Sequence, residues 1–155
     1  EKERLHWLAE HDNLTGLVNR RGLEAQLQAV LDRTRVVNGL SAFVFIDIDD
    51  FKHVNDTYGH QEGDKVLQST SWEIQSMLRQ YDSAARFGGE EFALLLPETT
   101  LEGAAMVAER VRRVRLGACE RSAAVPAKRL MNNLEACTAQ RYRARHADRA
   151  SHCLV

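Results

Sequence analysis

The sequence predicts an α/β domain in which a mixed, largely antiparallel central sheet is flanked by helices. Residues 40–48 form an apolar run on both faces, which is typical of a central strand that is covered on each side. Residues 84–96 contain two short strand-like runs around Gly88-Gly89, which is typical of a β-hairpin. Apolar residues at helical spacing lie before, between and after these strands, and they predict the flanking helices.

The predicted elements follow the order α, α, β, α, β, β, α. A capping box is expected before the last helix, with Thr99 as N-cap and Glu102 as its partner. Residues 49–60 are polar and contain Gly59, so they are expected to form a loop. The predicted ranges are an incoming helix end over 1–11, helices over 20–36, 63–79 and 100–115, and strands over 40–48, 84–87 and 91–96.

Composition restricts the class of protein. The chain has 155 residues, 44% of them hydrophobic, which suits one domain with its own core. Its net charge of -1 argues against a nucleic-acid binder, and no apolar run approaches the roughly 18 residues that span a bilayer. The three cysteines form no CxxC motif, which favours reduced thiols and a cytoplasmic protein. Because the chain begins without Met, we expect it to be cut from a longer protein.

The segment Phe87-Gly88-Gly89-Glu90-Glu91-Phe92 combines a turn with two acids. Glycines permit a positive φ and a close approach of a ligand to the backbone. Adjacent carboxylates repel each other unless a cation, a proton or water relieves them. Taken alone, the segment is either a metal-phosphate site or a solvated acidic turn.

A second acidic position favours the metal site. Asp47 ends the predicted strand 40–48, and it meets Glu90 if that strand pairs beside the hairpin. Two carboxylates near a strand end suit Mg²⁺, which completes its coordination with water and phosphate oxygens. Lys52 and the backbone N–H groups of 49–53 would then serve phosphate.

Three ordered motifs carry a resemblance to a known family. The first is Asp12-x-Leu14-Thr15-Gly16-Leu17-x-Asn19-Arg20-Arg21. The second runs from Phe45-Ile46-Asp47-Ile48-Asp49-Asp50-Phe51-Lys52 through Asn55-Asp56 and Gly59-His60 to Gly63-Asp64. The third is the hairpin segment 87–92. Together they resemble the GGDEF family of diguanylate cyclases, with Glu in place of the signature Asp, over about residues 5–115.

The resemblance implies a nucleotidyl cyclase or polymerase-palm architecture and a set of site residues. It implies Mg²⁺ or Mn²⁺ bound by Asp47, the carbonyl of Ile48, and Glu90. Glu90 would also help to deprotonate a hydroxyl, while Glu91 is either catalytic or structural. The substrate-binding residues implied for GTP are Asn55 and Asp64 on guanine, Lys52 on phosphate, and Gly88 and Gly89 beneath the nucleotide.

Arg79-Gln80-Tyr81-Asp82 resembles the RxxD inhibitory site of the family. Arg79 and Asp82 would bind the product, with Arg110 as an accessory residue. The alternative is an ordinary surface ion pair.

The chain departs from the family pattern after the helix predicted over 100–115. Residues 115–155 contain eight Lys/Arg and three Asp/Glu, and nothing in them reads as the expected apolar strand and closing helix. We therefore expect a domain over 12–115 that lacks its final strand and helix. The tail over 116–155 is then an out-of-frame or degenerate ending.

The expected function is a diguanylate cyclase that converts two GTP into cyclic di-GMP as a homodimer, downstream of a sensor or receiver domain. The alternative is an impaired module that binds cyclic di-GMP or GTP, or serves only in dimerisation. His11, His53 and His60 have no metal-ligand spacing and are expected in loops or packing. Trp7 and Trp72 are expected in the core.

Overall fold

The computed structural model describes residues 7–37, 40–113 and 134–138. Residues 7–10 are helical and lead into the domain. The elements that follow are β1 (Val18–Asn19), α1 (Arg20–Val37), β2 (Ser41–Asp47), α2 (Phe51–Tyr58), α3 (His60–Met77), β3 (Ser83–Arg86), β4 (Glu91–Pro97), α4 (Leu101–Arg113) and β5 (Leu134–Thr138).

The described strands form one sheet in the order β1-β3-β4-β2-β5. Strand β2 runs antiparallel to β4, from Ser41 opposite Pro97 to Asp47 opposite Glu91. The β3–β4 hairpin is antiparallel, and among the described strands only the two-residue β1 pairs in parallel. The predicted mixed, largely antiparallel sheet with flanking helices is confirmed.

Alternate residues of β2 serve two cores, as strand geometry requires. Val44 and Ile46 pack with apolar residues of α3 and α4 on one face. Phe43 packs with leucines of α1 on the other face. Each of these β2 side chains is fully buried, a burial that contributes about 1.5–3 kcal/mol per large side chain. The sheet is therefore fixed from both sides, and its ends are held in place for a site.

The loop prediction for 49–60 is wrong, because α2 occupies most of it. The segment is rich in Asn, Asp and Thr, which are weak helix formers, so its sequence does not suggest a helix. Burial of Phe51 and Val54, three positions apart, stabilises the helix through packing. Gly59 has a φ of 87° and separates α2 from α3, so α3 begins at His60 rather than at 63.

The capping prediction is also wrong by one residue. Thr100 caps α4, because its Oγ1 accepts a hydrogen bond from the Gly103 N–H at 3.1 Å. The hydroxyl of Thr99 donates instead to the Pro97 carbonyl at 2.9 Å and accepts from Arg79 Nη2 at 2.7 Å. The Thr99 hydroxyl is therefore engaged with the end of β4 and with Arg79, and it does not cap α4.

The expectation that no strand follows residue 115 is wrong. β5 pairs antiparallel with β2, from Leu134 opposite Ile46 to Thr138 opposite Ala42. The sequence Leu-Glu-Ala-Cys-Thr is short and has little β propensity, so a neighbouring strand must define its pairing. The rest of the tail, over 114–133 and 139–155, lies outside the described residues, as does the start of the incoming helix.

Both tryptophans are more exposed than predicted. Trp72 is 65% exposed on α3, where the neighbouring Ser71 and Ile74 point inward instead. Trp7 is 46% exposed and stacks on His11, with ring centroids 4.5 Å apart. Neither ring is part of the core. Within the described ranges, no helix combines the length and apolar character needed to cross a membrane.

Candidate active site

The pairing of β2 with β4 brings the predicted acids to one end of the sheet. Asp47 is the last residue of β2 and lies opposite Glu91, the first residue of β4. One position further on, the Ile48 N–H donates to the Glu90 carbonyl at 3.2 Å. The predicted metal residues Asp47, Ile48 and Glu90 are therefore neighbours.

The hairpin turn is closed by two hydrogen bonds to one carbonyl. The N–H groups of Phe87 and Gly88 donate to the Glu91 carbonyl at 2.8 and 3.2 Å. Neither Gly88 nor Gly89 has a positive φ, so the conformational reason expected for the pair does not apply. A Cβ at Gly88 would collide with the Glu91 carboxylate, whereas one at Gly89 would meet open space. Gly88 thus makes room for Glu91, and Gly89 leaves the tip of the hairpin open.

The acids of this cluster disfavour one another's charge. Burial, followed by the charges of Glu91 and Asp49, raises the pKa of Asp47. Burial, followed by the charges of Asp47 and Glu91, raises the pKa of Glu90. A cation placed among these carboxylates would relieve the repulsion.

The donor set suits a hard divalent cation. Carboxylate and backbone carbonyl oxygens are ligands that Mg²⁺ and Mn²⁺ accept, and Mg²⁺ commonly uses only one or two carboxylates. Across 7–37, 40–113 and 134–138, no three His, Cys, Asp or Glu side chains form a metal-binding group. Two carboxylates with water and phosphate oxygens do not require such a group.

A cleft of about 540 Å³ adjoins the acidic cluster, between α2, α3 and the hairpin tip. It collects most of the residues predicted to bind substrate, whereas Gly88 does not line it. Asp56, His60 and Arg86 also line the cleft, although no sequence motif assigns them a binding role. The predicted residues on its wall are Lys52, Asn55, Asp64, Gly89 and Glu90.

The wall of this cleft is held by a close contact between two helices. A Cβ at Gly63 would collide with the Asn55 amide oxygen and come within 3.3 Å of the Phe51 ring. Gly63 of α3 therefore allows α2 to approach closely. This approach places Asn55 and Asp64 along one cleft.

The Arg79–Asp82 pair lies away from the acidic cluster, and Arg79 also donates to Thr99. Arg79 donates to Asp82 from its backbone N–H, Nε and Nη2, at 2.9, 3.0 and 2.8 Å. The Asp82 side chain is only 3% exposed, whereas that of Arg79 is 46% exposed. Arg110 Nη2 donates to the Met77 carbonyl at 3.4 Å, near the start of the motif.

The motif borders a second cleft of about 350 Å³, whose wall also includes His11 and Gln75. The guanidinium of Arg79 lies 4.9 Å from the Tyr81 ring. The structure thus leaves half of the Arg79 side chain accessible beside a concave surface.

Residues 9–143 match the sequence model of the family described as "Diguanylate cyclase, GGDEF domain". The chain belongs to the GGDEF family. The match extends beyond residue 115 and includes β5, so the family pattern continues further than the motifs indicated.

Two relatives of this chain are named as diguanylate cyclases. The chain is 45% identical over 107 residues to "Probable diguanylate cyclase DgcE" of Escherichia coli (strain K12), covering 69% of this chain and 10% of that protein. It is 46% identical over 101 residues to "Diguanylate cyclase DgcP" of Pseudomonas aeruginosa, covering 65% of this chain and 15% of that protein. The chain thus spans a small part of these relatives' length.

The fold resembles the crystal structure of the coiled coil and GGDEF domain of DgcB from Caulobacter crescentus in complex with c-di-GMP. The TM-score is 0.73 at 25% identity, with 97% of this chain and 84% of that chain covered. The described sheet and helices are therefore a GGDEF fold.

Proposed function

We propose that this GGDEF domain is a diguanylate cyclase that condenses two GTP molecules into cyclic di-GMP. The observation that carries the proposal is the convergence of Asp47 and Glu90 at the edge of a cleft whose wall includes Asn55 and Asp64. It supplies carboxylates for a metal and polar groups for a base in one place. The names of the relatives DgcE and DgcP support the same reaction.

Guanine recognition is assigned to Asn55 and Asp64. A carboxylate can accept from both N1–H and the exocyclic amine of guanine, a donor pair that adenine does not offer. Lys52 lines the same cleft and supplies a positive charge for phosphate oxygens. GTP should therefore bind more tightly than ATP.

Mg²⁺ or Mn²⁺ would be held by Asp47, Glu90 and the carbonyl of Ile48. When bound, the ion would neutralise phosphate charge and lower the pKa of a coordinated hydroxyl. Glu90 would also help to accept the proton of the attacking hydroxyl. Glu91 lies against Gly88 and is assigned to supporting the hairpin.

The proposed reaction takes place between two copies of the domain. The 3′-oxygen of one GTP forms a bond to the α-phosphorus of the other, the bond from that phosphorus to the bridging oxygen breaks, and pyrophosphate leaves. In the second step the 3′-oxygen of the other nucleotide forms a bond to the α-phosphorus of the first, a second pyrophosphate leaves, and the ring closes. Each cyclic di-GMP thus accompanies two pyrophosphates, and positioning of the two half-sites supplies most of the catalysis.

The proposal extends to regulation and cellular context. Arg79 and Asp82, with Arg110 nearby, would bind cyclic di-GMP and inhibit the enzyme. An upstream sensor or receiver domain would act through the helix that enters at residue 7, and the domain would work in the cytoplasm. The DgcB structure, which contains a coiled coil together with a GGDEF domain, supports a helical connection of this kind.

The test is to incubate the purified chain with GTP and Mg²⁺ and to quantify products by mass spectrometry. The proposal predicts cyclic di-GMP with twice as many moles of pyrophosphate, and no cyclic product from ATP. A chain that binds cyclic di-GMP or GTP but forms no product, at any protein concentration that supports dimers, would instead be a binding module.

A further inference from the structure

One arginine connects the hairpin to the N-terminal segment. Arg86, at the end of β3, contacts Gly89 at the hairpin tip and Asp12, which lies 74 positions earlier in the chain. We propose that Arg86 is a positioning residue that fixes the hairpin tip, and thereby Glu90, relative to the segment 12–20. This inference rests on the proposed function, because it assigns Arg86 a role in the same site.

The contacts of Arg86 form a two-sided clamp. Nε and Nη2 donate to the Gly89 carbonyl at 3.2 and 2.7 Å. Nη1 donates to the two carboxylate oxygens of Asp12 at 3.2 and 3.3 Å. The side chains are 17% and 23% exposed, so solvent screens this pair less than a surface ion pair. The Gly89 carbonyl belongs to the peptide group that leads directly into Glu90.

Asp12 is itself fixed. It accepts from the Thr15 N–H at 2.9 Å and from the Thr15 hydroxyl at 2.7 Å. Burial alone would raise the pKa of Asp12, but the hydrogen bonds from Thr15 and Arg86 outweigh burial and lower it. The carboxylate is therefore ionised at neutral pH and offers Arg86 a fixed anchor.

A second contact holds the next hairpin residue to the same segment. The Arg20 guanidinium lies 4.7 Å from the centroid of the Phe87 ring, within cation–π range. Phe87 in turn packs edge-to-face on Phe45 of β2, with centroids 4.9 Å apart. Two consecutive hairpin residues, Arg86 and Phe87, are thus held by residues of the segment 12–20.

The hydrogen bonds favour positioning over phosphate binding for Arg86. Although Arg86 lines the cleft, each of its three guanidinium nitrogens already donates to an acceptor of the protein. Turning toward a phosphate would release Gly89 or Asp12 and leave a partly buried carboxylate without its cation, which is costly. Lys52 lines the same cleft and can meet phosphate without breaking this clamp.

The experiment compares Arg86→Gln, Arg86→Lys and Asp12→Asn with wild type, using Arg112→Lys as the matched control. Arg112 is also an arginine paired with an acid, Glu109, but it lies on α4 away from the cleft. Three quantities are measured: the dissociation constant for Mn²⁺, the amide hydrogen exchange of residues 87–92, and kcat with KM for GTP.

For Arg86→Gln we expect faster exchange over 87–92, weaker Mn²⁺ binding and a kcat lowered by about 10- to 100-fold, because misplacing a catalytic group is costly. The KM for GTP should change less than about twofold. Asp12→Asn should act in the same direction but less, since the bonds to Gly89 remain. Arg86→Lys should have an intermediate effect, because a single ammonium group replaces the three donor nitrogens of the guanidinium. If Arg86→Gln does not fold, the comparison of Arg86→Lys with wild type tests the proposal.

The proposal is overturned if Arg86→Gln raises KM while kcat, Mn²⁺ affinity and exchange stay at wild-type values, which is the signature of a substrate ligand. It is also overturned if no quantity changes. If wild type forms no cyclic di-GMP, the proposed function fails, whereas the exchange and Mn²⁺ measurements still test the role of Arg86.

Discussion

Asp47 and Glu91 lie directly opposite each other across β2 and β4, so two carboxylates occupy one cross-strand position. Like charges at such positions destabilise a sheet. Burial and the charge of Glu91 together raise the pKa of Asp47, and Glu90 is affected in the same way by its neighbours. The repulsion among these carboxylates lowers the free energy of unfolding, and a cation bound between them would restore it.

Removing one of these charges should stabilise the metal-free protein. Asp47→Asn is expected to raise the free energy of unfolding at pH 7 by about 0.2–1 kcal/mol, the usual size of a cross-strand charge effect. The raised pKa of Asp47 means that folding disfavours its charge, so the gain is fully present above the folded pKa. It disappears below the ordinary value of 3.8.

Urea unfolding at pH 7 and pH 3.5 measures this difference. Asp32→Asn serves as the control, because Asp32 accepts a hydrogen bond from Gln28 on the exposed side of α1 and Asn can replace it. A loss of stability in Asp47→Asn at pH 7 would mean that a stabilising partner of the Asp47 carboxylate outweighs the repulsion from Glu91.

Divalent cations should stabilise the protein in a pH-dependent way. At a Mn²⁺ concentration ten times its dissociation constant, unfolding should become harder by about 1.4 kcal/mol at pH 7. The effect should shrink toward pH 4, because protons compete for Asp47 and Glu90, whose pKa values are raised. Thermal unfolding with and without Mn²⁺ measures this stabilisation. If Mn²⁺ stabilises Glu90→Gln as much as wild type, the ion binds elsewhere.

Gly63→Ala should impair GTP binding. The new Cβ would collide with the Asn55 amide oxygen, so α2 must shift relative to α3 and the proposed base site is displaced. We expect at least a tenfold weaker affinity for GTP in a calorimetric titration. Gly103→Ala is the control at another helical glycine, where the Thr99 methyl approaches to 3.1 Å but no cleft residue is involved. Wild-type affinity in Gly63→Ala would argue against Asn55 as a base reader.

The two hairpin glycines should respond differently to alanine. Gly89→Ala meets no atom within 4 Å and requires no positive φ, so wild-type stability is expected. Gly88→Ala displaces the Glu91 carboxylate, a flexible group, and should shift the apparent pKa of the acidic cluster at little cost in stability. Denaturation and a pH titration of Mn²⁺ binding separate the two, and a strongly destabilised Gly89→Ala would contradict the described turn.

Product binding should depend on Arg79. Arg79→Ala is expected to weaken cyclic di-GMP binding at least tenfold, because the half-exposed Arg79 guanidinium places a positive charge beside the 350 Å³ cleft. Arg112→Ala should bind like wild type, since its pair with Glu109 lies on α4. Unchanged binding in Arg79→Ala would leave the Arg79–Asp82 pair as a purely structural contact.

The sequence predicts the parts of the fold that have strong periodicity. Strand β2 and helix α1 are found within one residue of their expected limits, because apolar spacing over many residues is hard to mistake. Helix α2 was missed because packing of Phe51 and Val54 stabilises it despite weak helix formers. Strand β5 was missed because its pairing depends on β2, a long-range contact that a five-residue segment does not encode.

For the site, the position of Asp47 at the end of a strand predicts that it meets Glu90 if that strand pairs beside the hairpin, and the pairing of β2 with β4 confirms this. Asn55 and Asp64 are implied by the resemblance to the GGDEF family, and both line one cleft. The link between Arg86 and Asp12 was not predictable, because 74 residues separate the two and neither has a local pattern that indicates the other. In the sequence, a role for Arg86 in the site is indicated only by its position directly before the hairpin segment 87–92.

The proposed role of Glu90 is tested by the rate of cyclic di-GMP formation at saturating GTP and Mg²⁺ in wild type, Glu90→Gln and Glu98→Gln. Glu98 is an exposed glutamate paired with Arg33 away from the cleft and serves as the matched control. We expect cyclic di-GMP from wild type and from Glu98→Gln, and a rate lowered by at least about a thousandfold in Glu90→Gln. Equal rates in Glu90→Gln and wild type would rule out a catalytic role for the Glu90 carboxylate.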